Sequence, residues 1–307
     1  MDREIKLGIF YTTFAYLLWG FLPIFWKQLD HVDAGQILAH RIIWSFVFMI
    51  IIVFVSKNWS KFIQECKMIW KTKKKLIGIT CASLIISVNW LLFIIAVNAG
   101  HVLQASLGYY INPLVSILLG VIFLKERLSL WQIIATILAA IGVTFMTFQA
   151  GVFPYLSISL ALTFGVYGLL KKIVPLKSMF GLTIETLLVT PIALIYLFQT
   201  NIGNITQIDW VSSTSGLFIL SGVATAVPLL LFGAGAFRIP LSMVGFLQYL
   251  NPTIMLLVGV FLYKEPFTYV HLVTFGCIWS ACLLYTLSHT KFMHHVELKL
   301  IPKKKAV

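Results

Sequence analysis

The sequence predicts an all-α integral membrane protein: ten transmembrane helices arranged as two inverted five-helix repeats. Three observations predict it. The 307 residues are 60% hydrophobic and only 11% charged, whereas a soluble domain carries about a quarter charged residues. The 23 Lys and Arg residues fall almost entirely in alternate loops. Residues 92–126 also overlay residues 231–265 without a gap.

The helices follow from length. About 20 residues cross ~30 Å of hydrocarbon, and each spanning segment must satisfy its own backbone polar groups. Apolar runs of that size place helices near 7–26, 35–55, 76–97, 103–124, 130–148, 152–170, 181–198, 214–237, 240–262 and 267–288. The first run follows Arg3 and Lys6, as a signal peptide would, but it is too long and no small-residue cleavage site follows. It is expected to stay as the first helix.

Charge fixes the orientation. With both termini in the cytoplasm, the inner loops and tail collect every Lys and Arg except Lys27 and Lys264, which lie outside, and Arg41, which lies within a helix. An excess of basic residues in short loops marks the cytoplasmic side, here the cytoplasmic side of a bacterial inner membrane. The formal charge of +13 is thus a topological signal, not a nucleic-acid surface.

The long inner loop, Trp59 to Lys75, sets Trp59, Phe62, Ile63, Cys66, Ile69 and Trp70 on one helical stripe between lysines. It is expected to lie in the membrane interface, either contacting anionic lipid or anchoring the topology between helices two and three, as is the basic tail from Lys291 through Lys303, Lys304 and Lys305. Trp26, Trp59, Trp70, Trp131 and Trp210 fall near helix ends, where indoles favour the headgroup level. Cys66, Cys81, Cys277 and Cys282 have no metal-ligand spacing, and His294 and His295 sit in the solvated tail. No metal or cofactor is expected.

The repeat is the strongest signal. At a constant offset of 139, Tyr110 meets Tyr249, Asn112-Pro113 meets Asn251-Pro252, Gly120-Val121 meets Gly259-Val260, and Lys125-Glu126 meets Lys264-Glu265. Upstream, Trp19-Gly20 is set against Tyr167-Gly168. The unit is about five helices, so the copies, residues 1–150 and 151–290, enter the membrane in opposite orientations, followed by the tail 291–307. Inverted repeats suit alternating access to a midplane site.

Trp-Gly and Pro in the first helix, the Ala39-His40-Arg41-Ile42 opening of the second, and the doubled Asn-Pro…Gly…Lys-Glu helices resemble the EamA branch of the drug/metabolite transporter superfamily, in particular its RarD group. The resemblance spans residues 5 to 290, departing only at Pro266, where the first copy has Arg127. It implies the drug/metabolite transporter fold, a cavity between the repeats, and export of amino acids, drugs or other small metabolites.

Two groups of residues are candidates for the chemistry. Ionisable side chains in a bilayer are rare and costly, which singles out His40, Arg41 and Glu185. Arg41 would recognise substrate charge, and His40 or Glu185 would carry a coupled proton. The alternatives are that Arg41 snorkels to the outer headgroups and that Glu185 reaches Lys171, Lys172 or Lys177 at the inner interface.

The second group forms a cavity wall: Tyr109 and Asn112 on the fourth helix, Gln248 and Asn251 on the ninth, with Trp19, Trp90 and Tyr167. Sites of this kind are mostly apolar with a few placed polar groups. Interhelical hydrogen bonding, or repair of carbonyls freed by Pro113 and Pro252, would also account for the amides. The sequence has no GxxxxGK[ST], GxSxG with a partner His, or HExxH. Secondary active transport leads. A membrane-embedded enzyme and a non-transporting sensor are the alternatives.

Overall fold

The computed structural model describes residues 3–98, 102–151, 153–174, 176–200 and 213–300. Trp210 and Lys303 to Lys305 lie outside them. The described chain is helical: α1 (Arg3–Trp26), α2 (Ala34–Val55), α3 (Trp59–Lys71), α4 (Lys73–Asn98), α5 (Val102–Phe123), α6 (Leu130–Gln149), α7 (Tyr155–Ile173), α8 (Ser178–Thr200), α9 (Ser213–Arg238), α10 (Leu241–Gln248), α11 (Leu250–Leu257) with a π turn at Val258–Leu262, α12 (Tyr269–Ser288) and α13 (Lys291–Leu300). Ten stretches are long and apolar enough to span a membrane, Leu241–Leu262 counting as one.

Local chemistry sets the ends. Asp33 caps α2 by accepting from the Gln36 N–H. Ser129 and Gln132 form a reciprocal capping box at the start of α6. Lys57, Lys125 and Lys264 take left-handed φ values of 56°, 55° and 59° where the chain turns out of a helix.

The surface is apolar and part of the interior polar, as expected where lipid is the solvent. Phe10, Ile51, Phe54, Ile137, Ile195 and Phe261 are exposed, while Thr12, Ser83, Gln104, Asn112, Glu185 and Gln248 are buried. With no hydrophobic drive between helices in lipid, close packing at small residues must supply cohesion. A Cβ on Gly222 of α9 would stand 2.3 Å from the Trp44 carbonyl carbon of α2, and the Ser45 hydroxyl donates to the Gly222 carbonyl at 3.0 Å. Gly235 of α9 abuts Thr12 and the Gly8 carbonyl of α1.

Packing pairs α1 with α9 and α11, α7 with α4 and α5, α2 with α8, α5 with α10, and α6 with α12. One end of the bundle is basic. There Arg238 bonds Glu4 at 2.9 Å, Lys172 donates to the Ile239 carbonyl, and Glu126 accepts from the Leu241 and Ser242 N–H groups at 2.6 and 2.9 Å.

Four expectations change. The ninth span keeps a single course, Leu241–Leu262, but turns at Tyr249 between α10 and α11. Pro252 lacks an N–H and its ring displaces the carbonyl four residues back, Gln248. Helix α3 stops at Lys71, and Lys73 to Lys75 open α4 instead. Its stripe is shared: Phe62 and Ile69 are buried against Val53, Ile79, Phe180 and Ile184, leaving Trp59 and Trp70 exposed. The tail to Leu300 is a docked helix: Glu297 accepts from the Leu130 N–H at 2.8 Å, satisfying an orphan donor at the α6 N-terminus, and Trp131 Nε1 donates to the Met293 carbonyl at 3.1 Å.

Candidate functional site

The centre of the bundle holds a narrow cavity bounded by Ile42, Ser87, Trp90, Tyr167, Glu185 and Thr186. About 280 Å³ of it is free of atoms. Small-molecule sites measure roughly 300–1,000 Å³, so the interior must widen to take a ligand. A second cavity lies towards the basic end, among Gly78, Lys171, Leu176, Ser178, Glu185 and Gly233. Glu185 borders both.

Glu185 is buried at 4% side-chain exposure and pairs with Lys171 at 2.6 Å. Tyr167 donates to its other oxygen at 3.1 Å, and Ser83 donates to its carbonyl at 2.8 Å. Helix α8 begins at Ser178, three residues before the expected start, so Glu185 lies about two turns inside at 3.6 residues per turn. The sequence reading assigned Lys171 to an inner loop, whereas it occupies the last turn of α7. Tyr167 and Lys171 are four apart and share a helix face, which was the available signal.

Arg41 is part-buried among α1, α4 and α9. Its Nε donates to the Thr225 hydroxyl of α9 at 3.0 Å, and its guanidinium lies 4.6 Å from the Trp26 ring and 5.2 Å from the Trp90 ring. Tyr109 lies within electrostatic reach. Trp26, expected in the interface belt, thus faces Arg41, and Trp90 joins Arg41 to the central cavity. His40 is separated from its neighbour: its ring stacks on Phe218 at 4.0 Å and 11°.

The remaining wall residues form two further groups. Trp19 packs on Tyr16, Phe164 and Phe232, and Tyr167 stacks on Phe232. This aromatic cluster backs the cavity through Tyr167. Asn112, Gln248 and Asn251 are buried on α5 and α10–α11, helices that approach where Gly245 meets the Pro113 carbonyl. They do not border the central cavity. The side-chain oxygens of all three lack a hydrogen-bond partner, as do those of Thr12, Tyr16 and Tyr249. Neither asparagine donates to a carbonyl freed by its proline among the described residues.

Comparison with known proteins decides the family. The model of the EamA-like transporter family matches residues 6–148. An uncharacterized transporter of Bacillus subtilis, YojE, is 49% identical over 94% of this chain and 96% of its own. Protein RarD of Escherichia coli K12 is 39% identical over 93% of this chain and 95% of its own. The chain belongs to the EamA-like transporter family. This EamA protein is therefore a multi-pass membrane transporter, of a family that is not one of enzymes. An uncharacterized transporter of Vibrio cholerae is 39% identical over 95% of this chain and 96% of its own. A crystal structure 15% identical in sequence superposes with a TM-score of 0.71 over 92% of the EamA protein and 98% of the other chain, which establishes the shared fold.

Sequence reasoning named Lys171 for Glu185 only alongside Lys172 and Lys177, and missed Trp26 and Thr225. Thr225 carries no signal of its own, being one hydroxyl among many in apolar helices.

Proposed function

We propose that this EamA protein is a secondary active exporter of a small metabolite, amino acid or drug. It works by alternating access between two inverted halves, residues 1–150 and 151–290, in a bacterial cytoplasmic membrane. Both termini are cytoplasmic, a reading the clustered basic end supports through the positive-inside rule. The halves are supported by the matched packing of α1 on α9 and α7 on α4. Anionic lipid contacts α3 and the tail 291–307, where Trp70 is exposed beside Lys71.

The observation that carries the reading is one turn built twice and found in two conditions. Lys125 and Lys264 both take left-handed φ. Glu126 N–H bonds the Gly120 carbonyl at 3.1 Å, and Glu265 N–H bonds the Gly259 carbonyl at 3.0 Å. Each carboxylate lies over its own glycine.

At the basic end Glu126 caps the first turn of α10, where the helix N-terminus favours an anion. At the opposite end Glu265 is exposed, and among the described residues its carboxylate makes no hydrogen bond. Its seat by the 139-residue offset is the start of α5 at Val102, as Glu126's seat is the start of α10 at Leu241. The two turns act as reciprocal latches: one end is fastened while the other is released. Glu185, paired with Lys171 between the two cavities, is the group through which a proton couples.

The test uses Ser242→Cys in a chain without its native cysteines, labelled from the basic end with a water-soluble maleimide. Glu126→Gln raises labelling several-fold and slows export, whereas Glu265→Gln lowers labelling below the parent. Export is read by comparing metabolites in spent medium of cells with and without the gene. Unchanged labelling and export in Glu126→Gln overturn alternating access by this route.

A further inference from the structure

We infer that the transported molecule is a monocarboxylate whose carboxylate pairs with the terminal nitrogens of Arg41 and whose apolar body lies along Trp90 and Tyr109. The inference rests on the transporter reading and names its substrate class.

Charge balance singles out Arg41. Among the described residues, Glu185 is a buried carboxylate, and Arg41 and Lys171 are part-buried cations on either side of the central cavity. Lys171 and Glu185 neutralise one another at 2.6 Å. The other ion pairs among the described residues, His31–Asp30, Lys75–Glu65 and Arg238–Glu4, lie towards the bundle's ends. Arg41 is left with a full charge and no carboxylate partner. A part-buried charge in a membrane-spanning helix is ordinarily paired, so the site at Arg41 lacks one negative charge.

The geometry says what form that charge takes. Two indole faces stabilise the guanidinium without neutralising it. Thr225 occupies Nε and fixes the rotation of the group. The two terminal nitrogens make no hydrogen bond among the described residues. They form a planar fork that matches a carboxylate bidentately. A phosphate dianion would overshoot the single missing charge. A cation would meet Arg41 repulsively, since the buried carboxylate of Glu185 is already taken by Lys171. Around the fork the surfaces are aromatic, and Trp90 continues into the central cavity. An apolar body attached to the carboxylate therefore has a wall to follow.

The test titrates the full chain in nanodiscs with phenylacetate, 4-methylpentanoate, the amide of each, phenethylamine, phosphate and chloride, using calorimetry. Both carboxylates bind, and their amides and phenethylamine bind at least roughly tenfold more weakly, the loss expected for hydrogen bonds to a charged group. Arg41→Gln weakens carboxylate binding by roughly 10- to 100-fold and leaves the weak amide binding unchanged. Arg41→Lys, which keeps the charge without the fork, recovers only part of the loss. Both variants are first checked for a monodisperse elution profile and an unaltered melting transition.

Equal binding of acids and amides overturns the inference, as does wild-type carboxylate affinity in Arg41→Gln, or binding of chloride or phosphate alone. Liposome flux separates the two levels. Transport of neutral or cationic compounds unaffected by Arg41→Gln refutes the substrate class and leaves the transporter standing. Arg41-dependent binding of carboxylates without flux of any of them refutes the transport reading.

Discussion

The buried pair of Lys171 and Glu185 allows a prediction with worked magnitudes. In Lys171→Met, the Glu185 carboxylate, 4% exposed, keeps only the Tyr167 hydroxyl. Removing one partner of a buried ion pair costs about 3–5 kcal/mol, and this variant is expected in that range. Glu185→Gln strands an ammonium that is 10% exposed and near the end of α7. Such a side chain can swing its head towards the headgroups, so the loss is expected at the low end, about 3 kcal/mol.

The double variant Lys171→Met/Glu185→Gln has no unpaired charge and keeps similar volume, and a neutral replacement of a buried pair is often close to neutral. Its loss is therefore expected to be about 1 kcal/mol, giving a coupling of several kcal/mol. Tyr167→Phe removes one hydrogen bond and costs about 0.6–1.7 kcal/mol on the scale measured in membrane proteins. The assay is equilibrium unfolding of the full chain by SDS in mixed micelles, followed by tryptophan fluorescence. Additive single losses, or a double variant weaker than either single, would refute the pairing.

Two further outcomes follow from packing and titration. Gly222→Ala sets its new methyl 2.3 Å from a backbone carbon and 2.6 Å from the Ser45 nitrogen, atoms that cannot rotate away, so α2 and α9 must separate. A loss of about 1–3 kcal/mol is expected, measured as a lower melting temperature, whereas Gly216→Ala, with open space around it, should not melt lower. Cys66 lies on α3, outside the spans. Burial, and next the charge of Glu65, push its thiol pKa up. The thiolate fraction at neutral pH is thus reduced, maleimide labelling is slow and climbs about tenfold per pH unit below that pKa, and Glu65→Gln speeds it.

Much of the fold was legible because one physical requirement, crossing ~30 Å of hydrocarbon with every backbone group satisfied, leaves a length signature in each helix. The break at Tyr249 was not legible. Asn112-Pro113 and Asn251-Pro252 read alike, yet α5 runs unbroken through Pro113 while the second copy splits, so the surrounding helices decide how a proline is accommodated. The charged candidates were legible by their rarity in apolar sequence. Their partners were only partly so: Lys171 was named for Glu185 together with Lys172 and Lys177, but placed in a loop, not in the last turn of α7. Trp26 was hidden by the general preference of indoles for interfaces. In each case a residue with a common local explanation turned out to face a charge that only the three-dimensional arrangement supplies.

The glycine contacts of α9 bear on how such a bundle can deform. Where Gly222 meets the Trp44 and Ser45 backbone, and Gly235 meets the Thr12 nitrogen and the Gly8 carbonyl beside the Thr12 hydroxyl, main chains lie close with little side chain between them to change rotamer. Joints of that kind resist sliding and transmit force directly. Helices α1, α2 and α9 are thereby welded into a single strut, although two come from the start of the chain and one from its later half. Large displacement then falls where longer side chains interdigitate, so the two inverted repeats exchange conformations through bodies that each draw helices from both.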